Sequence, residues 1–188
     1  QAQYDTQKNL KTVKISCIPE RMLFTVDRID VRPGQPLKIV FSNPDATDHN
    51  LVFVRPGGLE EVGMAANEMA RDPLNANSDF IPGSKKDLIL KASPMIGPTR
   101  KSLVSVLRFK APEQPGIYPF VCTFPGHWII MKGSLIVALN SDQANAMVTA
   151  NQPKIVSQWK LQDFSDVKSY KKDEASVMKG MQAFVKAR

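Results

Sequence analysis

Turn-forming clusters of proline and glycine interrupt the chain at short intervals from Leu10 to about Leu139, and this confines it to short extended segments. They fall at Arg32-Pro33-Gly34-Gln35-Pro36, Asn43-Pro44-Asp45, Arg55-Pro56-Gly57-Gly58 and Glu113-Gln114-Pro115-Gly116. Proline removes a backbone donor and glycine opens positive φ, so neither lets a regular element run through. Between the turns apolar residues alternate with polar ones, as Val13 and Ile15 do within Lys11–Cys17. That is the period of a strand with one buried face. Further candidate strands are Met22–Val26, Pro36–Ser42, Leu51–Arg55, Ser102–Lys110, Gly116–Cys122 and Gly133–Leu139. Short strands punctuated in this way predict an all-β chain, an antiparallel sandwich or barrel.

Two regions break the rhythm. Leu59, Val62, Ala66, Met69 and Ala70 recur at helical spacing, which predicts a side helix over Gly58–Arg71. Residues 72–99, rich in Pro, Asn and Ser, read as a long surface excursion in which Met95 packs. After Leu139 a short helix is expected over Ser141–Met147, then a linker at Asn151-Gln152-Pro153. Val177, Met178, Met181, Phe184 and Val185 form the apolar stripe of a final helix. The expected organisation is one β domain over residues 1–140, with a linker and helical C-terminal extension over 141–188.

Composition narrows the function classes. Hydrophobic residues make up 43% and charged residues 23%, as in a globular domain, and no apolar run approaches the ~20 residues that cross a bilayer. The chain opens at Gln1 with no signal-peptide pattern, as a processed or excised chain would, so the compartment stays open on this ground. A net charge of +7 favours acidic partners. Yet the lysines and arginines are scattered until the C-terminal stretch and no nucleic-acid motif is present, so the charge reads as a solvated basic surface. With only Cys17 and Cys122 a disulfide framework is not in view.

The chemistry lies in the stretch from Cys122 to Gly133, where Cys122, His127 and Met131 are spaced Cys-x4-His-x3-Met. A strand leads in, another leads out, and Pro125-Gly126 turns between them, so a thiolate, an imidazole and a thioether can converge at one hairpin tip. A fourth ligand comes from elsewhere, and the chain has only one other histidine, His49, at the start of a candidate strand. Two imidazoles and a thiolate in a plane with a weak thioether make a type 1 copper site. Structural zinc draws on more thiolates and has no use for methionine, and a protease-type Cys/His pair has no such hairpin signature. If Cys122 is a ligand, Cys17 is a free thiol acting as a small buried apolar residue.

The stretch Cys122–Gly133, with its Cys-Thr-Phe-Pro-Gly-His core and Met-Lys-Gly ending, resembles the copper loop of the azurins, auracyanins and related plastocyanin-like cupredoxins. Asp48-His49-Asn50-Leu51-Val52 resembles that family's other ligand segment. The resemblance implies an eight-stranded Greek-key β-sandwich holding one mononuclear type 1 copper, with His49, Cys122 and His127 equatorial and Met131 axial. It implies that Asn50, beside Thr123, braces the two ligand loops and that the Asn50 amide hydrogen-bonds the cysteine sulfur. It also implies that His127 is the electron port in an apolar patch of Phe124, Pro125, Trp128 and Met95. Two departures stand out: Cys17 has no partner for the azurin disulfide, and Asp48 replaces the glycine before the first histidine.

The expected function is one-electron transfer with a redox protein such as a c-type cytochrome or a dehydrogenase, in the periplasm or an equivalent extracytoplasmic space. The chain is not expected to be an enzyme, although its parent protein could be an oxidoreductase. Two histidines cannot build a type 2 or trinuclear centre, and one loop cysteine cannot build a dinuclear one. The competing class is a copper-binding and delivery module. For the tail there are two readings. One is a plain terminal helix docked on the barrel. The other is the first helix of a c-type cytochrome, because Gly180–Arg188 resembles the segment before a Cys-x-x-Cys-His haem motif.

Overall fold

The computed structural model describes residues 2–152. A helical turn, α1 (Ala2–Asp5), precedes nine strands and two longer helices. In chain order these are β1 (Lys11–Ile18), β2 (Leu23–Phe24), β3 (Arg28–Val31), β4 (Pro36–Ser42), β5 (Val52–Val54), α2 (Leu59–Met69), β6 (Ile89–Ala92), β7 (Val104–Lys110), β8 (Gly116–Val121), β9 (Lys132–Val137) and α3 (Ser141–Asn151). The strands form a Greek-key β-sandwich whose sheets are ordered β2-β1-β4-β7 and β3-β9-β8-β5-β6.

Strict alternation in β4 shows why the sheets face each other. Leu37, Ile39 and Phe41 are fully buried, while Lys38, Val40 and Ser42 between them are not. Burying each of the three inward side chains contributes about 1.5–3 kcal/mol. From the opposite sheet come Ile29, Phe53, Phe120 and Leu135. Phe120 lies at the centre, its ring 5.7 Å from that of Phe24 and 5.5 Å from that of Phe53.

The sheets are mixed rather than purely antiparallel: β1 pairs with β4, and β3 with β9, in parallel. The reason is connectivity. After β2 the chain crosses to the second sheet for β3 and returns as β4, so β4 runs alongside β1 in the same direction. The strands that were not expected, β3 and β6, are the two outer strands of the five-stranded sheet, each four residues long.

Residues 72–99 are not a surface excursion throughout. They contain β6, and Phe80, Ser93, Met95 and Ile96 are buried. The side helix is present as α2, and Val62, Gly63 and Ala66 form its buried face. The helix expected over Ser141–Met147 runs on to Asn151, starting at Asn140, whose side chain accepts from Gln143 N–H. Ala144 on α3 packs against Ile136 and Ala138, and the compact unit spans Gln1–Gln152. Asn151, expected in a linker, is thus the last residue of a packed helix. Pro153, the apolar stripe from Val177 to Val185 and the Gly180–Arg188 resemblance lie outside the described residues.

Truncating Phe120 to alanine should cost about 3–5 kcal/mol, read as a lower urea midpoint with the slope preserved. A loss below ~1 kcal/mol would show that the two sheets do not meet at Phe120.

Candidate metal centre

Cys122 follows the last residue of β8, and the chain then folds back to β9. Gly126 adopts φ +83°, which a side chain would oppose, and starts the 3-10 turn His127–Ile129. Two backbone bonds close the loop: Cys122 N–H donates to Met131 O at 3.0 Å, and Met131 N–H donates to His127 O at 2.7 Å. The three loop residues therefore share one pole of the sandwich, with Cys122 and Met131 fully buried and His127 half-buried.

His49 arrives from the opposite side. It forms a two-way backbone bridge with Ile96, His49 N–H to Ile96 O at 2.9 Å and Ile96 N–H to His49 O at 2.8 Å. The segment expected to be a surface loop thus supplies the pairing that fixes this histidine.

Three donor atoms converge. Cys122 Sγ lies 3.6 Å from His49 Nδ1 and 3.6 Å from His127 Nδ1, and the two nitrogens are 3.2 Å apart. The point equidistant from all three lies about 2 Å from each, close to the length of metal–imidazole and metal–thiolate bonds. On the far side of the His49 ring, Nε2 lies 3.2 Å from Asp45 Oδ2. A carboxylate only accepts, so Nε2 carries the hydrogen and Nδ1 presents a lone pair. Among the described residues no further His, Cys, Asp or Glu joins this group. The donor set fits a copper ion better than structural zinc, which usually takes four N or S ligands.

Burial sets the protonation of the group. It pushes the Cys122 thiol up to about 12, although backbone N–H groups of Asn50 and Phe124 hydrogen-bond the sulfur and pull the other way. Burial, reinforced by the neighbouring His49, lowers His127 to about 4. Burial lowers His49 too, against the opposing pull of Asp45. At neutral pH both imidazoles are therefore neutral and the thiol keeps its proton until a cation displaces it.

A second layer fixes the loops. Asn50 Oδ1 accepts from Thr123 N–H at 2.7 Å, while Asn50 Nδ2 donates to Thr123 Oγ1 at 2.7 Å and to Asp79 O at 2.8 Å. Helix α2 supports the loop from outside: Gly126 N–H donates to Asn67 Oδ1 at 2.8 Å. The Trp128 indole occupies the space where a Cβ on Gly63 would be. Trp128 therefore leans on α2 rather than standing free.

Met95 is buried and is not part of a surface patch. Phe124, Pro125 and Trp128 are half-buried, and the exposed apolar side chains on this loop are Ile129 and Ile130 at 55% and 54%. The Phe124 ring lies 4.6 Å from that of His127. Asp48, in place of the expected glycine, turns its carboxylate to Thr99 Oγ1 and to Arg100 Nε at 2.7 Å. Sequence reading missed Asp45, Asn67 and this ion pair: Asn67 and Asp48 meet partners far away in sequence, and Asp45 lies in an irregular loop. For Asp45 a signal existed, a carboxylate four residues before the ligand.

Comparisons with known proteins agree with this geometry. The family model for copper binding proteins of the plastocyanin/azurin family matches residues 11–138. Auracyanin-A of Chloroflexus aurantiacus is 30% identical over 127 residues, 67% of this chain and 74% of that protein. Auracyanin-B of the same organism is 29% identical over 130 residues, 68% of this chain and 52% of that protein. The crystal structure of dithionite-reduced auracyanin from Roseiflexus castenholzii superposes with a TM-score of 0.56 at 32% identity, covering 68% of this chain and 96% of that one. With a sandwich of this topology, a buried His2Cys triangle at its pole and a family match spanning the whole sandwich, the chain belongs to the plastocyanin/azurin family of copper-binding proteins.

Proposed function

We propose that the chain is a one-electron carrier whose type 1 copper is held by His49, Cys122 and His127, with Met131 as the weak fourth ligand. The observation that carries this reading is the buried Sγ–Nδ1–Nδ1 triangle. Copper bound there supplies a one-electron Cu(II)/Cu(I) couple.

The chain's own residues do the rest. Cys122 and His127 are set by a hairpin closed through Met131, and His49 is set by its bridge to Ile96, so the donors need not move when an electron arrives or leaves. The Asn50 and Phe124 amides hydrogen-bond the sulfur and draw charge from it, which tunes the potential. His127, the half-buried ligand, is the route to the surface, and Phe124, Pro125, Ile129 and Ile130 give a redox partner an apolar landing area. Burial of Cys122, His49 and Met131 favours retention of the metal over rapid delivery to an acceptor.

We infer a protein partner such as a c-type cytochrome or a dehydrogenase, in the periplasm or a similar extracytoplasmic space. Family membership supports both. Within residues 2–152 no helix is long and apolar enough to cross a membrane. A haem tethered after Arg188 rests on the Gly180–Arg188 resemblance alone, and a Cys-x-x-Cys-His motif in the following residues of the gene is its test.

Adding Cu(II) to the apo-protein should give an intense blue thiolate-to-copper absorption band, and Cys122→Ser should abolish it together with reversible voltammetry. A colourless copper complex that yields its metal quickly to a chelator would instead establish a delivery module. Met131→Gln should keep copper bound but lower the potential by the equivalent of about tenfold in Cu(II)-over-Cu(I) preference, ~59 mV, because a harder axial donor favours Cu(II). Because the thiol of Cys122 is protonated and both histidines are neutral, Cu(II) uptake at pH 7 should release about one proton per metal, measurable by calorimetry in buffers of different ionisation enthalpy.

A further inference from the structure

Asp45 is a buried carboxylate placed on the far side of a metal ligand. Its side chain is 8% exposed, and that of His49 is 0% exposed. Oδ2 accepts from His49 Nε2 at 3.2 Å and Oδ1 accepts from Ala46 N–H at 2.6 Å. The loop that carries it is fixed by Asn43, whose Oδ1 accepts from Asp45 N–H at 3.0 Å and whose Nδ2 donates to Thr47 O and Ile96 O at 2.8 and 2.7 Å. Asp45 and the bridge that holds His49 are thus tied to the same strand end.

The charge of Asp45 is not cancelled by a basic residue. Asp48, three positions on, is paired with Arg100, whereas among the described residues the one ion-pair partner of Asp45 is His49. A buried carboxylate without a cation is costly, and its desolvation is offset only by hydrogen bonds and by a nearby positive charge. The counter-charge this geometry provides for is a metal ion beyond the His49 ring.

We propose that Asp45 is a positioning residue that also sets the potential of the copper centre: it orients His49 with Nδ1 facing Cys122 and His127, and its negative charge favours Cu(II) over Cu(I). The inference rests on the ligand assignment above. Charge counting gives the direction. A thiolate with Cu(II) leaves one net positive charge in a dry site, and Asp45 brings the total to zero. With Cu(I) the same set carries one net negative charge, which burial disfavours. A carboxylate on the remote nitrogen also makes the imidazole a stronger donor to the metal.

The test compares copper-loaded wild-type, Asp45→Asn and Asp45→Ala proteins. Asparagine keeps one acceptor oxygen for His49 Nε2–H in nearly the same shape, removes the charge and gives up the acceptor of the Ala46 N–H. Asp45→Asn should stay blue while its potential rises by the equivalent of about tenfold in Cu(I)-over-Cu(II) preference, ~59 mV. Asp45→Ala should in addition lose about 10–100-fold in Cu(II) affinity in a chelator competition, because the ring loses its orienting acceptor. Proton NMR of the diamagnetic Cu(I) wild type gives a readout independent of the variants' folding: the His49 Nε2–H should be protected from exchange and shifted downfield as expected for a carboxylate acceptor. A blue Asp45→Asn protein with an unchanged or lowered potential overturns the inference, as does a rapidly exchanging Nε2–H. A wild type that never turns blue overturns the ligand assignment itself, so the two failures are distinguishable.

Discussion

Three electron-pair donors, Cys122 Sγ and the Nδ1 atoms of His49 and His127, face one another at separations of 3.2–3.6 Å in a place that water barely reaches. Left to themselves, neutral imidazoles would turn their lone pairs toward hydrogen-bond donors. That they do not turn is the constraint the surrounding structure serves. The Ile96 bridge holds His49, the Met131 backbone closes the cysteine hairpin, and the reciprocal Asn50–Thr123 bonds lock the two ligand segments together. The His49–Ile96 and Asn50–Thr123 ties cross between segments far apart in sequence, so the site is a property of the completed sandwich and not of the copper loop alone.

The three converging donor residues were legible because the residue types are scarce. Two histidines and two cysteines leave little choice, and the Cys-x4-His-x3-Met spacing lies on one hairpin. The strands of the sandwich interior were legible for a related reason: a buried face imposes period-two alternation, and Pro36–Ser42 was readable to the residue. What escaped lies at the margins. β3 and β6 are outer strands of four residues, too short for periodicity to stand out, and β6 sits inside a stretch whose Pro, Asn and Ser content signals loop. The parallel pairs escaped because pairing direction follows from how the chain crosses between sheets, which no local pattern encodes. Asn67 escaped because a lone polar residue gives no hint of which distant atom it will meet, and Asp45 because it lies in an irregular loop with no period to place its side chain.

Residues 59–99 show how an apparent interruption becomes part of the site. Helix α2 presents Gly63 to the Trp128 indole and Asn67 to the Gly126 amide, and the chain after it returns through β6 to the His49 bridge. One insertion between β5 and β7 therefore reaches both ligand segments, one from the solvent side and one through the sheet. Arg100 adds a third tie, spanning Asp48, Asn77 and Ser78.

Cys17 is 1% exposed, Cys122 is fully buried, and burial raises both thiols well above their ordinary range. The thiolate is the reactive species, so the folded chain is chemically quiet at both positions. Before folding the same two sulfurs are exposed and ordinary, and within this sequence they are the one pair that can oxidise. A disulfide formed then would consume the single sulfur donor of the cysteine hairpin. Assembly in oxidising surroundings is thus a race, and closure of the sandwich over Cys17 protects Cys122 by taking the other thiol of this sequence out of reach.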